Sequence, residues 1–102
     1  MLDSSLKDRL RAVLEWQPVT EAELRRLAEE GDAGARILRG QLERAKHRLA
    51  ALSADPTSSL SEIAAALRRV NEVQPELEEM QALLTALQAR AREFRASWLS
   101  TS

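Results

Sequence analysis

The chain holds one histidine, His47, in the run Lys46-His47-Arg48. An imidazole is the usual general base near neutral pH and a common metal ligand. A zinc site would need two or three further ligands converging on it, and the sequence has no cysteine to offer. With charged neighbours on either side, His47 reads as a solvated side chain. The carboxylate pairs Glu29/Glu30 and Glu78/Glu79 fall on polar helix faces rather than in apolar pockets. Carboxyls placed there are solvated, without the apolar surroundings that make a general acid. No Ser/His/Asp order and no nucleophile elbow is present. The expectation is a protein that is not an enzyme, with no catalytic residue, no cofactor and no metal.

Two further stretches bear on anions. EEGDAGARILRG, residues 29–40, contains all three glycines, Gly31, Gly34 and Gly40. A phosphate loop would need a preceding strand, a Lys-Ser/Thr ending or GxGxxG spacing, and the stretch has none of these. Among the basic residues that follow, Arg36, Arg44 and Arg48 are assigned to one helix face, where they are candidate phosphate contacts. No aromatics are interleaved with them and Glu43 interrupts the patch. The chain carries 15 basic and 16 acidic side chains, a net charge of −1, without the basic excess of a general nucleic-acid binder. A nucleic-acid or transcription-complex binder is therefore kept as an alternative only.

The elements that must position these groups are helices. Ala, Leu, Arg, Glu and Lys make up about three fifths of the 102 residues, and there is one Phe, two Trp and no Tyr. That bias belongs to helix bundles and coiled coils and argues against a sheet. Alanine matches leucine in number, so the core should be thin and the helices close. A thin core in a small chain raises the prospect of a partner or a second copy, including a structural coiled-coil homodimer. No apolar run reaches the ~18 residues of a membrane span. The start, MLDSSLKDRL, has neither a basic leader nor an apolar core, so a cytoplasmic protein is expected.

Helix boundaries are marked. Ser5 and Asp8 have capping-box spacing, as do Thr20 and Glu23, and Ser59 and Glu62. Gln17-Pro18 ends a first helix near Trp16. Val19 and Leu24 have the spacing of a hydrophobic staple. SADPTSS, 53–59, is a breaker. Pro75, followed by Glu76, Glu78 and Glu79, suits a helix N-terminus. The reading is one all-α domain, a small antiparallel helical bundle or hairpin of four to five helices with coiled-coil-like packing. They run roughly over 5–16, 20–30, 33–53, 59–73 and 75–98.

Within 20–53 two arrangements compete. Leu24, Ala28, Gly31, Ala35, Leu38, Leu42, Ala45, Leu49 and Leu52 recur in steps of four and three, an unbroken seam that favours one helix. Gly31-Asp32 as stop and start favours a turn, and the turn is preferred. One continuous helix would carry Glu21 and Glu23 toward Arg90 and Arg92. Further on, Leu60, Ile63, Leu67, Val70, Val73 and Leu77 read as a seam with a phase slip, which together with Pro75 marks a kink or hinge. A hairpin turning at 54–58 would set Glu43 against Arg68 and Arg69, and Arg36 and Arg39 against Glu72 and Glu76.

The last segment carries a broad apolar set. Leu77, Met80, Leu84, Leu87, Phe94 and Trp98 are the candidate contacts for a partner protein's helix, with Pro75 as the hinge. Bundle core is the competing role for Leu77 to Leu87. Trp16 is a competing neighbour for Trp98 within the chain.

Residues 20–52, TEAELRRLAEEGDAGARILRGQLERAKHRLAAL, resemble the early part of flagellar FliT-type export chaperones, through Leu27, Ala28, Glu30, Gly31, Asp32, Leu38, Glu43, Arg44 and Leu49. LRRVNEVQPELEEMQALLTALQARAREF is similar to that family's second half. The resemblance implies a cytoplasmic helical chaperone or adaptor that shields the tail of an export substrate or regulator, with a mobile last helix. QPVTEAELRRLAEEGD also has the proline-to-Gly-Asp spacing of the transcript-cleavage Gre factors, without their acidic ENAEY.

Overall fold

A computed structural model describes residues 4–15 and 20–100 of the chain. Among them there are three α-helices and no strand: α1, Ser4–Glu15; α2, Glu21–Ala54; and α3, Leu60–Ser100. The all-α expectation holds, and the count of four to five helices does not. Two of the expected breaks are absent, each for a packing reason. The stop at Gln17-Pro18, the staple at Val19 and the environment of Trp16 lie outside the described residues.

The first absent break is the turn at Gly31-Asp32. α2 runs through it, and no glycine takes the positive φ that a left-handed helix cap requires. The glycine serves close approach instead. A Cβ built on Gly31 would collide with Leu84 Cδ2 and stand 3.2 Å from Leu84 Cγ. Leu84 occupies the space a side chain would need. The penalty of about 1 kcal/mol for a helical glycine is thus offset by letting a leucine of α3 settle against the α2 backbone.

The second is the break at Pro75. α3 continues through the proline, which lies on the exposed side of the helix. An interior proline costs about 3 kcal/mol, by removing one N–H and crowding the carbonyl four residues back. Val73 and Leu77, on either side of it, are 2% and 6% exposed. Burying two such side chains contributes about 3–6 kcal/mol, and both reach the core only if the helix keeps its phase. The buried residues Ala66, Val70, Val73, Leu77, Met80, Leu84 and Leu87 step by four and three without interruption. The phase slip arises from counting Leu60 and Leu67 in the seam, and these are 85% and 47% exposed.

The chain divides into two compact units, one of residues up to Gly34 with those from Met80 onward, the other Ala35–Glu79. The first, the end unit, is a three-helix cluster. Leu6, Leu10 and Val13 of α1 are buried with Leu24 and Leu27 of α2 and Met80, Leu84 and Leu87 of α3. Arg9 Nη2 reaches Glu30 Oε2 at 2.7 Å, tying α1 to α2 at the surface. As an exposed pair this contributes about 1 kcal/mol or less.

The second, the hairpin unit, buries Ala35, Leu38, Leu42 and Ala45 of α2 and Ala66, Val70, Val73 and Leu77 of α3. Its loop falls where SADPTSS places it. The Asp55 carboxylate accepts the Thr57 N–H at 2.9 Å and the Thr57 hydroxyl at 2.7 Å, and the Ser58 N–H donates to the Asp55 carbonyl at 3.1 Å. Ser59 then caps α3, its Oγ accepting the Glu62 N–H at 3.1 Å. Thr20 caps α2 in the same way, accepting the Glu23 N–H at 3.2 Å. The expected pairing of Glu43 with Arg68 and Arg69, and of Arg36 and Arg39 with Glu72 and Glu76, is not formed among the described residues. Arg69 Nη1 lies 3.7 Å from Glu72 Oε2, one turn along its own helix.

Candidate functional site

His47 is exposed on α2 and lines an open depression of about 630 Å³ with Glu43, Arg44, Arg48, Ala51, Leu52 and Asp55. Among the described residues, no three His, Asp or Glu side chains converge as metal ligands would. Arg44 and Arg48, two of the three phosphate candidates, share this depression; Arg36 is exposed and does not line it. The two guanidinium groups share the space with two carboxylates. Asp55 is held below its ordinary pKa of 3.8, chiefly by the Thr57 N–H and then by the Thr57 hydroxyl. It therefore stays charged at neutral pH and opposes an incoming phosphate. Of the acid pairs, Glu30 is occupied by Arg9 and Glu29 and Glu78 are exposed.

The partner-contact candidates separate into three groups. Leu77, Met80, Leu84 and Leu87 are core: they are 6%, 0%, 7% and 1% exposed. Phe94 is half-buried and lines a shallow depression with Arg90, Glu93 and Ser97. Trp98 belongs to α3, and its side chain lies outside the described residues. Pro75 sits within an unbroken helix, so the structure gives it no hinge conformation.

A feature that sequence reasoning did not single out lies in the end unit. Between the first turns of α2 and the last turns of α3 runs a groove of about 360 Å³, lined by Glu21, Leu24, Arg25, Ala28, Leu87, Gln88, Ala91, Arg92 and Arg95. Its floor is apolar. Leu24 and Leu87 are almost fully buried beneath it, and Ala28 and Ala91 are half-buried. The two alanines leave it open, since neither reaches beyond Cβ. Its rim is charged. Glu21 Oε1 stands 3.4 Å from Arg95 Nε and 3.6 Å from Arg25 Nη2. Arg92 has no carboxylate partner among the described residues. A continuous α2 was expected to carry Glu21 and Glu23 toward Arg90 and Arg92; Glu21 meets Arg95, one turn further on, and shares the groove with Arg92, while Glu23 does not line that groove.

No protein-family model, curated protein or solved structure matches this chain. The functional reading therefore stands on the groove and its chemistry. Of the expected contact set, Leu87 is the one that lines it among the described side chains. Leu77, Met80, Leu84 and Phe94 do not line it, because this groove is made largely of small and basic positions, which a search for large apolar side chains passes over. Ala28 and Ala91 between Arg25 and Arg92 were the available signal. No helix among the described residues is long and apolar enough to cross a membrane.

Proposed function

We propose that this chain is a non-enzymatic helical adaptor of the chaperone type, which takes a helix or tail of a partner protein into the groove of the end unit. The observation that carries this is the open, apolar-floored channel between α2 and α3, bounded by Leu24, Ala28, Leu87 and Ala91. An amphipathic helix laid along such a channel presents side chains at i, i+3/i+4 and i+7, the usual mode of helix-in-groove recognition. The resemblance to FliT-type chaperones supports the same reading and gives the partner as an export substrate or regulator met in the cytoplasm. Because Met80, Leu84 and Leu87 are core, the role of α3 is to form one wall of the groove rather than to leave it.

The test is affinity purification of the full chain from its host, with bound proteins identified and their binding segment then titrated directly. Ala91→Trp fills the groove from an outward-facing position and is expected to abolish binding while helicity is unchanged. Equal binding by the wild type and Ala91→Trp would refute the groove as the site. A dimeric mass by light scattering with no partner recovered would replace the adaptor by a structural homodimer.

A further inference from the structure

We infer that the segment received by this groove is an acidic amphipathic helix. The inference rests on the adaptor reading and adds the partner's chemistry. Among the described residues the rim carries three guanidinium groups, of Arg25, Arg92 and Arg95, and one carboxylate, of Glu21. Its formal charge of +2 stands out on a chain whose net charge is −1. Glu29 and Asp32, the acids one turn beyond Arg25 and Ala28 on α2, do not line the groove.

The groove already displays the contact it would make with such a partner. A single carboxylate, that of Glu21, is shared between Arg25 and Arg95 at 3.6 Å and 3.4 Å. A guanidinium offers five N–H donors, so one shared oxygen leaves most of them to water. The side chains of Arg25 and Arg95 are 66% and 59% exposed. Arg92 adds a third cation, four residues after Gln88 on the same face of α3. Leu99, 77% exposed, continues that face at the i+4 position from Arg95. Leucines and alanines below, arginines along the rim and an exposed leucine at the end match one kind of occupant: apolar residues on one side, Asp or Glu flanking them. Nucleic acid fits less well, because the described floor residues Leu24, Ala28, Leu87 and Ala91 are aliphatic and give bases no aromatic surface to stack on.

The test uses the full chain and three labelled synthetic helical peptides of about 20 residues, on the order of 30 Å long. All three share one leucine- and alanine-rich face; the polar face carries Glu, Gln or Lys. Binding is followed by fluorescence anisotropy, with circular dichroism to confirm that each variant is folded. The Glu peptide is expected to bind most tightly, with an advantage that shrinks as salt is raised. Arg92→Gln with Arg95→Gln should weaken the Glu peptide roughly two- to thirtyfold and leave the Gln peptide unchanged. Arg92→Gln alone, which breaks no ion pair among the described residues, gives the same direction if the double variant loses helicity. Equal affinity for all three peptides, lost in Ala91→Trp, would overturn the charge inference and leave the adaptor standing. No binding by any peptide, or binding indifferent to Ala91→Trp, would remove the groove itself. A duplex oligonucleotide that binds with the same dependence on Arg92 and Arg95 would make the site a polyanion site and overturn the proposal.

Discussion

Adding one methyl group at Gly31 and, separately, one at Gly40 tests the packing of the end unit, because both glycines sit inside α2 with ordinary helical φ. Each alanine gains the same helix propensity, about 1 kcal/mol. At Gly40 the new Cβ meets only the Arg44 side chain, with Nη1 at 3.4 Å, an exposed tip that can swing aside. Gly40→Ala is therefore expected to stabilise the protein by about 1 kcal/mol, or about 4–8 °C in Tm for a domain near this size. At Gly31 the same atom runs into Leu84, which is 7% exposed and has little room to yield. Overpacking of that kind costs about 1–3 kcal/mol, so the net effect runs from about neutral to about 2 kcal/mol destabilising. The propensity gain cancels in the difference between the two variants, which leaves the Leu84 contact alone. Urea denaturation followed by far-UV circular dichroism measures both. A second arm removes the obstacle: in a Leu84→Ala background, itself costing about 2–5 kcal/mol, Gly31→Ala should become stabilising, as Gly40→Ala is. If Gly31→Ala stabilises the wild type as much as Gly40→Ala does, the close approach of Leu84 to the α2 backbone is wrong.

Three further outcomes are expected. Pro75→Ala restores a backbone N–H to an unbroken helix and should raise stability by up to about 3 kcal/mol; a loss of stability in the same urea assay would contradict a helix that tolerates the proline only through Val73 and Leu77. Thr20→Ala and Ser59→Ala each remove a cap and should lower stability by about 0.5–2 kcal/mol, with additive effects in thermal melts because the two caps are on separate helices. Asp55→Asn tests the loop through pH. The folded-state pKa of Asp55 is depressed, so its contribution is present above the ordinary 3.8 and is lost as pH falls through the lower folded value. The wild type should be the more stable near neutral pH and converge on the variant in acid, and parallel pH profiles would remove Asp55 as the cause.

The boundaries set by short-range chemistry were legible in the sequence. Thr20/Glu23 and Ser59/Glu62 cap α2 and α3 as their spacing implies, and Asp55-Pro56 turns the chain. The seam through Gly31 was equally legible, and it decides against the turn. What no local pattern could supply is that Leu84, more than fifty residues away in sequence, fills the space above Gly31. Pro75 misled for a related reason. Its cost is local and visible, whereas the burial of Val73 and Leu77 that outweighs it depends on α2. Leu60 and Leu67 looked like seam residues by type and are exposed, and they alone created the apparent slip. The groove escaped notice because its defining residues are alanines, which mark where side chains are missing.

The loop at 55–59 and the four-and-three spacing on both arms of the hairpin unit constrain how this protein can change length. A one-residue insertion in either arm turns every later side chain by about 100° and takes the buried row out of line. Seven residues added to one arm alone would keep the phase and still leave an unmatched overhang. Growth or shortening of the hairpin is therefore expected as equal blocks of seven on both sides of the loop, whereas a change in number confined to the loop between Asp55 and the Ser59 cap leaves the phase of both arms intact.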